Sequence, residues 1–567
     1  MPSEVVKIPR QTFVNIMDFG ATGDGNADDS PAIQRAVSSI EATGGVVWFP
    51  PGNVYAMASE VTIRSKFPIW LKSYMGNKAL PGAVGLTDAT HAVIRPKNSL
   101  TYMFSWKRAV GATDFVQTSG GGIEGLSIAD WIGTSQARNF AIQAAINIDE
   151  ASYFSIRDTI IQWIKGSALR VGSCVVVTVD GNCHWNSCGD AGTSRPVIEL
   201  HGGVVGVAFM WAYNLFLEAS QYVGITLTAA GLLHGHALYF ENSSSSTYLF
   251  IDSTVGLVRL DRCQFNSTGT TSVIIGATPV GNVGPRITNC LFNNTPGANS
   301  TLKILASAQL TVVENCAFKS ISQTGPSIEL LSNWCTISGI FIYAAGRIIV
   351  GGIHNKISDI FMHWPLAAAG QACIDFTSQQ CDLNNVHIDG LNLTAGHGIR
   401  LSLTTVRNCT VCRLASGANG IVASAFGIHD VIQNCNVYEL VNGTPIVYTQ
   451  GNIANGNRGY PSSATAVTLN TVVATATLHA ESGTITTPNL TGIVGAVYNV
   501  DITNSLINAN SRVFASITRG TENASFKYTI EEVLVYTGGF WVSFKNTGPV
   551  AWNGNVRVHF FVVNSGT

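Results

Sequence analysis

Charge is what this sequence has least of. Of its 567 residues only 12% are Asp, Glu, Lys or Arg, about half the usual share of roughly 25%. The 32 basic and 34 acidic side chains nearly cancel, leaving a net charge of −2. No Lys/Arg run stands out, so a nucleic-acid partner is not expected: neutralising phosphates needs clustered cations. Long hydrophobic runs are missing too. No stretch of about 18 uncharged apolar residues reads as a membrane helix. The opening MPSEVVKIPR has no hydrophobic signal core, so neither membrane insertion nor an N-terminal secretion signal is expected. The low charge does not imply disorder. The apolar fraction is 46%, whereas disordered chains pair low hydrophobicity with high charge. The length allows about three to five domains or one long repeat array.

The array reading is favoured by a returning dipeptide: Asn182-Cys183, Asn289-Cys290, Asn315-Cys316, Asn408-Cys409 and Asn434-Cys435. An apolar residue follows each Cys two places on: Trp185, Phe292, Phe318, Val411 and Val437. Intervening segments fit the same frame, with Asn214, Ala237, Arg262, Gly339, Asp359 and Asn385 in the Asn slot. Ten intervals between Cys183 and Cys435 average about 25 residues. Asn, Asp and Gly tolerate left-handed backbone angles, so the slot predicts one bend per coil between short strands. The Cys slot and the position two further on share a strand face. Both are apolar throughout, so that face points inward. Stacked coils of this kind make a right-handed, single-stranded parallel β-helix, an all-β solenoid. The twelve cysteines then read as small buried hydrophobes. Neither a disulfide framework nor a closed four-ligand metal set is expected. Cys409 and Cys412 lie three apart on a strand, facing opposite ways, so a redox pair is not expected.

Residues 14–55 read VNIMDFGATGDGNADDSPAIQRAVSSIEATGGVVWFPPGNVY. Ser30 is a plausible N-cap with Pro31 at the first helical position. Ile33, Ala36, Val37 and Ile40 have helical spacing, and Gly44-Gly45 ends the helix. Such a helix would cover the open edge of the first coil. Asp24, Asp28 and Asp29 read as turn and cap hydrogen-bonders rather than calcium ligands. The segment, through Asp18-Phe19-Gly20-Ala21, Gly23-Asp24-Gly25, Asp28-Asp29, Ala32-Ile33-Gln34, Gly44-Gly45 and Phe49-Pro50, resembles the N-terminal signature of the pectate-lyase-like superfamily, especially bacteriophage tailspikes and capsule depolymerases. The resemblance implies an N-terminal arm (1–13), a cap with helix and first coil (14–60) and a catalytic parallel β-helix (61–455). After these it implies a C-terminal antiparallel β-sandwich (456–567) for trimerisation or glycan binding. It further implies a homotrimer on a phage virion tail, docked through the short arm onto the tail or another tail protein, with a bacterial surface polysaccharide as partner and no cofactor.

Chemistry is sought on the outward columns, one residue per coil and about 4.8 Å apart. The column four places after the Asn slot reads Asn186, Glu218, Glu241, Asn266, Asn293, Lys319, Tyr343, His363, Asp389, Cys412, Tyr438. Two places earlier it reads His184, Phe216, Tyr239, Gln264, Leu291. Glu218 and Glu241 are thus expected as neighbours on consecutive coils. Two carboxylates that close cannot both ionise without cost, which suits the acid and base of glycoside hydrolysis. Their bland alternative is a solvated strand surface. Asp252 and Asp261 are further acid candidates. Phe216, Tyr239 and Trp211 are candidate sugar platforms, and His184, His236, Arg262, Gln264 and Asn266 candidate hydroxyl or carboxylate binders; His234 is also noted. Asp375, Asp382 and Asp389 form a possible second acidic patch. The expected activity is hydrolysis of capsule, exopolysaccharide or O-antigen. The alternatives are a lyase that uses Arg262, His236 and Tyr239 on a uronic acid, and a non-catalytic glycan-binding spike.

Overall fold

The computed structural model describes residues 12–564 apart from 75–90, 114–119, 131–137, 202–207, 229–230, 242–246, 253–255, 268–271, 295–299, 320–324, 345, 364, 366–370, 391–395, 415–417, 423–429, 439–445, 448–452, 456–457, 460–463, 466, 471–472, 478–481, 488, 505–506, 509 and 522–526. The expected arm at 1–13 lies almost wholly outside these residues. The chain forms two compact units, residues 1–336 and 337–567.

The first unit begins with Phe13–Asn15, which pairs in parallel with Gly45–Trp48, itself paired with Ile69–Lys72. Between them runs the single α-helix of the described residues, Ser30–Ile40. Its residues Ile33, Ala36, Val37 and Ile40 are fully buried, as their spacing predicts. The N-cap is Asp29, not Ser30, and its side chain makes no cap bond. Asp29 Oδ1 instead accepts from Thr22 N (2.7 Å) and Thr22 Oγ1 (3.1 Å), pinning the preceding turn. Ser30 Oγ accepts from the N–H of Ala58 and Ser59. Asp24 Oδ1 accepts from the N–H of Asn26 and Ala27. All three acids noted at this turn bind backbone, since Asp28 Oδ1 accepts from Ser30 N and Ala58 N.

Beyond the cap the coils stack in parallel; Ala141–Arg157 and Lys165–Asp180 run as long paired strands, and after them each coil of this unit contributes short strands to three parallel sheets. The first sheet contains Ala208–Tyr213, Gly231–His236, Val258–Asp261, Arg286–Thr288 and Val312–Glu314. Cys183–Asn186, Leu215–Glu218, Tyr239–Glu241, Gln264–Ser267, Leu291–Asn294 and Ala317–Lys319 make up the second. The third holds Ile198–Leu200, Ile225–Leu227, Thr247–Ile251, Ser272–Ile275, Leu302–Ile304 and Ile328–Leu330. This is a parallel β-helix. The bend between first and second sheets is the Asn slot: Asn214, Ala237, Arg262, Asn289 and Asn315 have φ of 51, 52, 54, 54 and 53°. Asn182 departs from the pattern because Gly181 (φ 75°) takes the left-handed position there. Inside, Phe240, Phe265, Phe292 and Phe318 form a stack with centroids 4.9, 4.9 and 4.6 Å apart. Cys183, Cys263, Cys290 and Cys316 are at most 2% exposed, and burial pushes the Cys183 thiol up to about 11.

The second unit repeats the coil. Lys356–His363 and Asp382–Asp389 pair in parallel, as do Ile348–Val350, Ala372–Phe376 and His397–Arg400. Gly339, Asp359, Asn385, Asn408 and Asn434 are left-handed. Asp389 and Cys412, expected to face outward, are buried at 2 and 3%. For Asp389 the cause is ion pairing: it is held by His363 Nδ1 (3.0 Å) and by Arg413. After the coils come two sheets. One is ordered Ala464–Thr465, Ser482–Thr486, Val556–Asn564, Ser511–Arg519. The other is ordered Val467–Asn470, Val473–Thr477, Val497–Thr503, Gly539–Asn546, Tyr528–Tyr536. They share a core of Val500, Ile502, Phe540, Val542, Phe544, Val558 and Trp552, a β-sandwich. The sheets are mainly antiparallel, but Val473–Thr477 with Val497–Thr503 and Ala464–Thr465 with Ser482–Thr486 pair in parallel.

Candidate active site

On the second sheet, inward residues fix what points out. Leu215, Leu217, Leu238, Phe240, Cys263 and Phe265 are at most 1% exposed. Strand alternation then turns Phe216 and Glu218, Tyr239 and Glu241, and Gln264 and Asn266 outward. The register aligns Asn186, Glu218, Glu241 and Asn266 on four successive strands, with His184, Phe216, Tyr239 and Gln264 beside them. A second left-handed bend follows directly at Ser187 (φ 54°) and Ala219 (φ 48°), so Glu218 ends its strand at a corner of the coil.

Each glutamate has its own hydrogen-bond partners. Glu218 Oε2 is bound by His184 Nε2 at 2.9 Å and accepts from Asn186 Nδ2 at 3.1 Å. The Asn186 amide is itself held by Ser187 Oγ donating to Oδ1 at 2.6 Å. The Nδ1 atom of His184 is buried with no hydrogen-bond partner. Nδ1 is therefore best left as the bare nitrogen, with Nε2–H donating to Glu218, because an N–H there would be buried and unsatisfied. Glu241 bonds with the Tyr239 hydroxyl, which accepts from Asn266 Nδ2 at 2.9 Å; Gln264 Nε2 in turn donates to Asn266 Oδ1 at 3.1 Å. Burial, the bond to Glu241 and both glutamate charges push the Tyr239 phenol above its ordinary value, against the Asn266 bond. The phenol thus stays a donor. Phe216 lies between the rings of His184 (6.3 Å, edge-on) and Tyr239 (5.4 Å, tilted).

The remaining candidates lie elsewhere on the coil. His184 is in the expected column but only 7% exposed; covered by Phe216, it supports Glu218 rather than presenting itself to a sugar. Asp252 directly follows the third-sheet strand Thr247–Ile251, one strand further around the coil than Glu241, so it is not part of the glutamate column. Trp211, His236 and Asp261 belong to the first sheet, across the bend. There Asp261 Oδ2 meets His236 Nδ1 at 3.1 Å, while Oδ1 accepts from Thr288 Oγ1 (2.9 Å) and Asn289 Nδ2 (2.8 Å). Burial raises the Asp261 carboxyl, but the Asn289, Thr288 and His236 contacts outweigh it and hold it below its ordinary value. Trp211 packs with His234 at 5.2 Å and Tyr213 at 6.3 Å. Arg262 occupies the bend itself, its side chain 70% exposed and 3.9 Å from Asp261. Asp375, Asp382 and Asp389 are not one acidic patch. Asp375 bonds with Arg347 and Arg400, Asp382 lies 3.6 Å from Arg407, and Asp389 is held by His363 and Arg413. Asn186 stands in the expected column, but spacing does not show its bond to Glu218; Tyr213 lies on the first sheet, where the same column arithmetic would have reached it.

Residues 13–71 match the model of the family described as rhamnogalacturonase A/epimerase, pectate lyase-like. The chain is 34% identical over 88 residues to mannuronan C5-epimerase AlgE1 of Azotobacter vinelandii, a match covering 14% of this chain and 6% of that protein. It therefore spans about 6% of the length of that curated relative. Among solved structures, it is similar to the tailspike protein gp49 of Pseudomonas phage LKA1, with 11% identity, 98% of this chain and all of that one covered, and a TM-score of 0.32. It is also similar to tailspike protein 3 of bacteriophage CBA120, with 13% identity, coverage of 81 and 64%, and a TM-score of 0.33. At its N-terminal end, over residues 13–71, this chain carries a pectate-lyase-like segment, and that segment leads into a parallel β-helix.

Proposed function

We propose that the protein is a phage tailspike depolymerase that hydrolyses glycosidic bonds of a bacterial surface polysaccharide at Glu218 and Glu241. The observation that carries this reading is the pairing of the two carboxylates on consecutive strands, each with different partners. An oxygen that already accepts two N–H bonds serves best as an anion. Glu218 is therefore assigned to activate water or to attack the anomeric carbon, and Glu241 to protonate the departing glycosidic oxygen. Phe216 and Tyr239 supply apolar ring surface, and Gln264 and Asn266 amides for hydroxyls. The virion location, the homotrimer and docking through the N-terminal arm rest on the resemblance of the N-terminal signature to tailspikes.

The test is depolymerisation of purified capsule, exopolysaccharide or O-antigen, followed by viscosity and chain length. Glu218→Gln and Glu241→Gln are each expected to slow cleavage about a hundredfold or more with an unchanged melting temperature. Wild-type rates in both variants would remove the site from this column. Binding without any loss of polymer length would instead make the protein a non-catalytic spike. A second reading, β-elimination, is favoured by the Asp261–His236 pair, which turns His236 Nε2 away from Asp261 as a base. In that case an unsaturated uronate would absorb in the ultraviolet, and His236→Ala rather than Glu218→Gln would stop the reaction.

A further inference from the structure

The first sheet carries an arrangement that the glutamate site does not use. Its outermost column runs Trp211, His234, Arg259, Arg286 on four successive strands in register. Trp211 is 39% exposed, and Arg259 and Arg286 are both exposed. Two guanidinium groups on adjacent strands about 4.8 Å apart repel each other. In a chain with only 32 basic residues such a stack stands out. Neither arginine makes an ion pair among the described residues, although the neighbouring column, His236–Asp261–Thr288–Glu314, holds two carboxylates; of these Asp261 is taken by His236, Thr288 and Asn289. Arg259 acts on this face electrostatically: burial first, then its charge, lower the basicity of His234. Guanidinium forks match carboxylate and sulfate oxygens and remain charged at any working pH.

We infer that the column Trp211–His234–Arg259–Arg286 binds an acidic polysaccharide, one sugar ring against Trp211 and the anionic groups further along against Arg259 and Arg286. The polymer would lie along the stacking direction of the coils, on the face adjoining the glutamates. This inference rests on reading the protein as one that acts on polysaccharide, and it names the class: carboxylated or sulfated chains rather than neutral ones.

The experiment is electrophoresis of the full-length protein through gels containing polygalacturonate, dextran sulfate or neutral dextran, in a Glu218→Gln background so that no polymer is cut. Retardation is expected in one or both charged gels and not in dextran, weakening as salt is raised. A response to polygalacturonate alone assigns carboxylate, and to dextran sulfate alone sulfate. Arg259→Ala/Arg286→Ala should weaken binding at least tenfold, Arg259→Lys/Arg286→Lys less, and Trp211→Ala independently by several fold. Equal retardation by dextran, no retardation in either charged gel, or undiminished binding by the folded double-alanine and Trp211→Ala variants overturns the inference. Cleavage of a neutral polymer that Glu218→Gln abolishes, with no acidic polymer bound, would sink this inference alone. Binding of acidic polymer by a protein that cuts nothing would sink only the proposed chemistry.

Discussion

His184 is the residue that most changes meaning between sequence and structure. It belongs to the column read from spacing, but alternation gives direction, not depth, and its ring is buried beneath Phe216 against Glu218. Its role under the proposed chemistry is to hold Glu218. His184→Ala is therefore expected to lower kcat about tenfold with little change in KM, and His184→Gln, whose Nε2 can reach the same carboxylate, to recover part of it. Asp261 offers a test by pH. Its folded carboxyl lies below the ordinary value of 3.8, so its contacts stabilise the fold fully above that pH and are lost as pH falls through the lower folded value. The melting-temperature gap between wild type and Asp261→Asn is expected to be constant above pH 3.8 and to shrink below it. The adjacency of Glu218 and Glu241 was legible because Leu217 and Phe240 are plainly inward. The cross-coil partners His184 and Asn186 were not, because rotamers decide them.

The bends and the strands of each coil answer to different forces. Asn, Asp and Gly at the slot announce a left-handed bend, and the backbone follows them at Asn214, Asn289, Asn315, Asp359 and Asn434. Ala237 and Arg262 adopt the same angles without the favoured side chain, carried by the coils above and below. Ala237→Gly is accordingly expected to stabilise the protein by about 1 kcal/mol, read from chemical denaturation. The Asn182 coil shows what periodicity hides: a glycine one place earlier takes over the angle. Inside, Phe292 lies between Phe265 and Phe318, and Phe292→Ala is expected to cost about 3–5 kcal/mol by leaving a cavity between rigid neighbours. The helix was legible from Ile33 to Ile40, but its cap was not. Asp29 and Ser30 are both good caps, and only the turn at Thr22 decides that Asp29 is engaged elsewhere.

Across the whole molecule, the twelve cysteines are all buried thiols outside any disulfide. With the thiols shielded, a disulfide reagent is expected to modify almost none of the folded protein and all twelve after denaturation. The fold class was legible from the recurrence of Asn-Cys pairs. The parallel pairings within the C-terminal sandwich were not, since alternation is blind to strand direction. Connection lengths carry a further consequence. Only one or two residues join each first-sheet strand to the next second-sheet strand between Tyr213 and Ala317, whereas four to eight join the second sheet to the third between Glu218 and Ile328. Growth of the chain is thus admitted on either side of the third sheet but not at the bend between first and second, and one of the two permissive corners is where Glu218 and Glu241 stand. Two residues spliced in after Glu241 should leave melting unchanged, while two spliced between Asp261 and Gln264 should throw the following coils out of register. Lineages built on this solenoid have room to redraw the neighbourhood of the glutamates, and so the sugar they accept, without renegotiating the scaffold.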